Sequence, residues 1–232
     1  KELSNGLVSL MLESELVDIS LGEDHRIHSA LVRKRDQIAE PVEASNFVLS
    51  CGGYAANQEM FPALTGGYPL FSQAYPFSQG TGIRLVDKLG GIIQGGEHFL
   101  PTFGRIEDPY NPGRISNFTI TVPQARPPWE VYLNLLGQRF VNEEEPSADK
   151  RERALLEQPD LTFWALFDTA IKHSAPSLFQ EISEDQVEAL WNNHHSFVRA
   201  DTLESLAEGA GLPIQNVVQT TSSYNEAVAH GH

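Results

Sequence analysis

The sequence predicts an α+β fold, and three features of its 232 residues carry that prediction. Short β-like apolar runs fill the first quarter, a Gly- and Pro-rich middle holds one clear helix, and the last third reads as capped amphipathic helices. At 41% hydrophobic residues the chain can bury a sizeable core, as one large domain or two small ones. A folded, soluble protein is expected.

In chain order, the first zone covers residues 1–57. Its opening GLVSLMLESELVDI has amphipathic spacing and is predicted as a helix. Apolar residues then fall at Ile27, Ala30 and Val32, at Val42, and at Phe47, Val48 and Leu49, which predicts two or three strands ending in a buried one. That last strand runs into Cys51, Gly52 and Gly53. Adjacent glycines after a buried strand let the backbone approach a ligand or another backbone closely, and a tight turn is the alternative.

The second zone, residues 58 to about 148, is rich in Gly and Pro. Thr81 to Leu89 is predicted as its one helix, with Ile83, Leu85, Val86 and Leu89 on or beside one face. ISNFTITV and EVYLNLLGQRFVN are strand-like. The third zone is helical: Ser183 with Gln186, and Asp201 with Glu204, are spaced as capping boxes. Gly209 and Gly211 end the second of these helices, and Pro213 suits the first turn of the last one. Ile214, Val217, Val218, Tyr224 and Val228 are spaced to bury one face of it, with Tyr224 and Asn225 closing it onto the core.

Composition excludes several functions. A net charge of −15 opposes phosphate-backbone binding, so nucleic acid is not an expected partner. The single cysteine, Cys51, allows no internal disulfide and no CxxC metal pair, which fits a reducing, cytoplasmic setting. No apolar run reaches membrane-spanning length and no signal-peptide pattern opens the chain. The first residue is Lys1 rather than Met, which suits a processed or excised piece.

Few residues carry chemistry by pattern alone. His194 and His195 are adjacent, so on a helix they diverge by about 100° and a solvated or capping role is expected over a metal site. His25 and His28 fall on predicted strands beside the charged run RKRD. The run Glu143, Glu144, Glu145 reads as a solvated face, and Cys51, with no base placed beside it, as an inert strand-end thiol. No metal site is expected. GxSxG, HExxH, P-loop and GxGxxG patterns are absent.

Five segments resemble, in order, those of the FAD-dependent fumarate reductase, succinate dehydrogenase and 3-ketosteroid dehydrogenase superfamily. VLSCGGYAANQEMF is similar to its "VVLATGGF-x-x-N-x-x-M", SQGTGIRLVDKLGG to "TGDGI-x-M-A-x-x-x-GA", and WEVYLNLLGQRFVNEE to "I-x-V-N-x-x-G-x-RFVNE". FWALFD matches the following "IFD", and DTLESLAEGAGLPIQNVVQTTSSYNEAV the pattern that ends in "YN".

Such enzymes open with a strand, a GxGxxG turn and a helix that hold the FAD pyrophosphate, and they close with a second flavin-domain portion. The resemblance therefore implies a piece from the middle of the enzyme. Residues 1–57 correspond to the tail of the first flavin-domain portion, and residues 58–232 to the capping domain. It implies an FAD-dependent hydride transfer in the parent, with this chain inactive and flavin-free by itself. Ser50, Cys51, Gly52 and Gly53 would lie against the cofactor, Ser50 and Cys51 standing at the family's Ala-Thr. Gly80, Thr81 and Gly82 would do the same from the second segment, with Gln79 and Thr81 replacing its Thr and Asp.

Catalytic residues carry over only in part. Arg126 falls at the first arginine of the fumarate reducers' proton relay, but Pro123 stands in place of its Glu and Ser147 in place of its acid-donating Arg. Leu100 precedes Pro101-Thr102 where a substrate histidine is expected, with His98 two residues away. Neither Pro nor Ser can protonate a carbanion, so a desaturating relative acting on a ketosteroid-like or tricarballylate-like substrate fits better. Structural readings stand beside these: a surface arginine after a turn for Arg126, and an ion pair at a strand end for Arg139 and Glu143. Two other functions stay open, a free-standing binding module and an enzyme of another class using His98 or the His194-His195 pair. Unpaired strand edges in the first zone predict a homodimer.

Overall fold

The computed structural model describes residues 6–116 and 119–231. By contacts they form two compact units, residues 6–70 with 74–97, and residues 71–73 with 98–231. Helices and small antiparallel sheets are mixed in an α+β arrangement, as the sequence predicts.

The first unit is built on an antiparallel meander of β1 (Ser14–Leu21), β2 (Ile27–Lys34) and β3 (Glu40–Glu43). Leu16 pairs with Val32 and Ile19 with Ala30, and the β1–β2 turn closes with Gly22 donating to the Arg26 carbonyl at 2.8 Å. Asp18 on β1 takes the Lys88 ammonium at 2.7 Å, tying helix α2 (Thr81–Lys88) to the meander. A short helix, α1 (Met60–Thr65), precedes it.

Two expectations fail in this unit. No helix forms in the opening segment. Strand β1 starts at Ser14, because Leu16 and Ile19 find cross-strand partners in β2, while Leu7, Leu10 and Leu12 stay exposed. Nor is NFVLS a buried strand. Apolar residues of that spacing need a sheet beside them, and this segment pairs with no strand among the described residues, leaving Val48 89% exposed. The expected homodimer finds no support either, since edge strand β3 carries Pro41 between Glu40 and Val42, and such an edge resists pairing.

The second unit is organised by a two-stranded ribbon, β4 (Val131–Asn134) against β5 (Phe163–Leu166), with Leu133 opposite Trp164. Successive side chains point to opposite faces, so the ribbon serves two cores. Leu133 packs with Ala207, Leu212 and Val217, while Tyr132 packs with Phe103 and Leu155. Around it lie α3 (Ala148–Leu156), α4 (Thr169–Ser174), α5 (Glu184–Asn193), α6 (Leu203–Gly209) and α7 (Ile214–Ala229). The turn after β4 is pinned to α7. Asn216 donates to the Leu136 carbonyl at 2.8 Å and Thr220 to that of Gly137 at 2.9 Å.

The Ser183–Gln186 capping box forms on α5. The second does not, because Thr202 rather than Asp201 caps α6, its hydroxyl accepting the Ser205 amide at 3.1 Å. Both are good cap residues, and the one directly before Leu203 wins. Pro213 sits at the N-cap of α7. That helix buries Val217, half-buries Val218 and Tyr224, and leaves Ile214, Asn225 and Val228 exposed, so its core-facing stripe is narrower than expected. Of the predicted strand EVYLNLLGQRFVN only Val131–Asn134 forms, as β4; the chain then turns, and Arg139 makes an isolated bridge back to Leu133. The strand predicted over ISNFTITV includes Asn117 and Phe118, which lie outside the described residues; beside them Ile115 and Thr119 form only isolated bridges.

Candidate functional site

All seven residues expected at a cofactor fall in the first unit, and the structure brings them to two loops that are bonded together. The Gly80 amide donates to the Gly53 carbonyl at 2.9 Å, and the Ala56 amide to that of Ser78 at 3.0 Å. The Asn57 side-chain amide reaches the Gln79 carbonyl at 2.8 Å, and that of Gln79 returns to the Ala56 and Pro76 carbonyls. Residues 53–57 and 76–80 are thus one hydrogen-bonded platform, with α2 starting directly behind it.

A cleft of about 460 Å³ opens beside this platform, its wall including Leu49, Cys51, Gly52, Gly82, Ile83 and Val86. Its glycines differ in role. Gly82 is buried beside Cys51, and an added Cβ would touch the Cys51 Sγ at 3.8 Å. Gly80 is an internal packing position, where a Cβ would stand 2.5 Å from the Met60 sulfur. Gly53 is exposed and a Cβ on it would meet nothing within 4 Å. Among the described residues no atom therefore explains why Gly53 lacks a side chain. Ser50 and Cys51 are exposed, and Thr81 opens α2, which has no side-chain cap.

Arg126 lies in the second unit and is not a surface residue. It is 5% exposed, donates Nη1 and Nη2 to Glu130 at 2.9 and 2.5 Å, and donates Nε to the Pro176 carbonyl at 2.7 Å. Both forks of the guanidinium are engaged, so the group brackets the segment before β4 against the segment after α4. Sequence reasoning missed Glu130, 3% exposed, although Arg and Glu four apart across Pro127-Pro128 was a readable signal. Ser147, in place of an expected arginine, caps α3 by accepting the Lys150 amide at 3.3 Å.

Elsewhere, Arg139 and Glu143 form the expected ion pair. The acidic run is not a solvated face as a whole. Glu143 is buried, and Glu145 accepts the Ser147 amide at 3.0 Å. His194 ends α5 with its Nδ1 accepting the Ser196 amide at 3.1 Å, and its ring stacks on His195 at 4.6 Å. Burial, and then the neighbouring His195, lower the pKa of His194. His25 sits in the β1–β2 turn, and His28 faces Glu43 across the surface of the meander at 3.8 Å. No group of three potential metal ligands occurs among the described residues.

No protein-family model matches the chain. Curated relatives do: a probable fumarate reductase of Shewanella frigidimarina is 25% identical over 97% of this chain, and a 3-oxosteroid 1-dehydrogenase of Mycobacterium tuberculosis 23% identical over 99%. The chain is homologous to FAD-dependent flavoprotein oxidoreductases. Among solved flavoproteins of this superfamily, 3-ketosteroid delta1-dehydrogenase of Sterolibacterium denitrificans superposes over 99% of the chain with a TM-score of 0.70 at 21% identity. A flavocytochrome fumarate reductase in an open conformation covers 94% with a TM-score of 0.55 at 24% identity. The chain spans only 35% and 40% of the two curated relatives, and 36% and 42% of the fumarate reductase and steroid dehydrogenase structures. Among the described residues no helix is long and apolar enough to cross a membrane.

Proposed function

We propose that this chain is the cofactor-facing tail and capping domain of an FAD-dependent oxidoreductase, residues 1–57 supplying the first and residues 58–232 the second. The observation that carries the reading is Gly53, an exposed glycine on a hydrogen-bonded platform with open space where its Cβ would be. A flat ligand lying on that backbone accounts for the missing side chain. The residues present fit FAD in this respect. Ser50, Cys51, Gly52 and Gly53 would lie along the cofactor, and Gly80, Thr81 and Gly82 would hold the platform and the adjoining helix start against it.

When bound, FAD would accept or supply the hydride. This chain's part is to position the cofactor and substrate, and its cap excludes water from the transfer. A ketosteroid-like or tricarballylate-like substrate undergoing desaturation is favoured over fumarate. Ser147 is committed to capping α3, and Arg126, buried against Glu130, is placed to steady the cap rather than to deliver a proton. The same proposal keeps the parent in the cytoplasm and leaves this chain inactive alone. Exposed Leu7, Leu10, Leu12, Val48 and Ile92 are apolar surface that a larger flavin domain would cover.

The test is the visible absorption spectrum of the purified chain before and after incubation with FAD and desalting, together with amide NMR at high FAD. The reading expects a folded, colourless protein whose Gly52, Gly53 and Gly82 signals shift with FAD. A flavin band surviving near one per chain would overturn the flavin-free part of the proposal. Glycine signals that ignore FAD would overturn the assigned contact.

A further inference from the structure

Arg139 stands at the wall of a second cleft, of about 430 Å³, within the unit of residues 98–231. Its guanidinium spends Nε and Nη2 on Glu143, at 3.0 and 2.5 Å. Glu143 is itself fixed, its side chain 5% exposed and accepting the Tyr132 amide at 2.9 Å. The Tyr224 ring lies against the guanidinium carbon at 5.3 Å. One edge and one face of the planar cation are therefore held in place.

The other end is open. Nη1 has no hydrogen-bond partner among the described residues, and the Arg139 side chain keeps 39% of its exposure. A guanidinium offers two forks, and with the Nε/Nη2 fork occupied the Nη1/Nη2 fork remains to grip a second planar oxyanion. Around it the cleft presents the side-chain amides of Gln138 and Gln219 and the hydroxyl of Ser223, while Asn216 and Thr220, also in its wall, already donate to the Leu136 and Gly137 carbonyls. None of its lining residues is acidic, in a chain with 31 Asp and Glu.

We propose that this cleft binds a small oxyanion, a carboxylate or a phosphate, on the open fork of Arg139. The Arg139–Glu143 pair is nearly neutral, so recognition rests on directed N–H donors rather than on net positive charge. Geometry thus matters more than charge. The site does not depend on the flavin reading.

The test is a titration of the 232-residue chain with inorganic phosphate and, separately, with citrate, followed by the backbone amides of Gln219, Thr220 and Ser223. Two variants accompany it. Gln219→Glu places a carboxylate in the cleft without touching the Arg139–Glu143 pair, and Arg139→Lys keeps the charge but removes the fork. Saturable shifts with at least one anion are expected, weakened about tenfold or more in each variant at an unchanged fold. Saturation by citrate alone assigns a carboxylate ligand, and by phosphate alone a phosphate ester. Shifts that never saturate overturn the proposal, as does an affinity equal to wild type in Gln219→Glu. If Arg139→Lys does not fold, Gln219→Glu decides by itself.

Discussion

The amide of Gly80 donates to the carbonyl of Gly53 at 2.9 Å, the bond that joins the two glycines directly within the wider set holding their segments as one surface. The two glycines nevertheless serve opposite ends. Gly80 has φ +72° and is packed under Met60 and Tyr54, whereas Gly53 faces outward with space before it. Replacing Gly80 by Ala would add backbone strain to a collision with the Met60 sulfur, for a loss of about 1–3 kcal/mol. Gly53→Ala should cost under about 0.5 kcal/mol. Urea unfolding of both variants checks this, and equal losses would contradict the assignment of Gly53 to a ligand.

Arg126 and Glu130 form a buried pair whose members cannot be lost singly at low cost. Arg126→Ala should destabilise by about 3–5 kcal/mol, because Glu130 is left as an uncompensated buried charge. The double replacement Arg126→Met with Glu130→Leu should recover much of that. A double-mutant cycle measures the coupling, and an Arg126→Ala protein of wild-type stability would mean that the pair is not formed in solution.

His194 gives the second unit a pH dependence of defined sign. Its folded pKa lies below the ordinary histidine value, because burial and His195 disfavour the charged ring. The unfolded chain therefore binds its proton first as pH falls. The contribution to stability is fully present above about pH 6.5 and is lost as pH falls from there through the lower folded value. Thermal unfolding followed from about pH 7.5 to 5 should show a decline that is shallower in His194→Gln. Equal slopes would remove His194 from the effect.

Gly137 tests how the ribbon turn meets α7. It has φ +72°, and an added Cβ would come within 3.0 Å of the Val217 side chain. Gly137→Ala should cost about 2 kcal/mol or more, since Val217 belongs to the buried core and cannot move aside freely. Chemical denaturation measures it. A neutral result would show that the helix yields.

Much of this was legible in the sequence, and what failed did so for physical reasons. The helix at Thr81 and the Ser183 cap depend on neighbours a few residues away, and local spacing predicted both. NFVLS and the opening apolar segment depend on what lies beside them in space. Spacing shows that Val48 wants cover but says nothing of what provides it. The glycines of the platform were readable as special, yet only coordinates separate Gly80, which serves packing, from Gly53, which does not. Glu130 was missed because its motif position belongs to the following strand, and a bend through two prolines turned it back onto Arg126.

The β4–β5 ribbon places Tyr132 and Leu133 on opposite sides, each 1% exposed and each committed to a different cluster. Sliding β4 by one residue would exchange a phenol for an isobutyl group in both clusters at once, so two mismatches arise from one error. Four residues thereby work as a key with a single orientation in its lock. In deuterated water the amides of Tyr132 and Asn134 should be among the last in their unit to exchange, because opening them requires both sides of the key to come loose together.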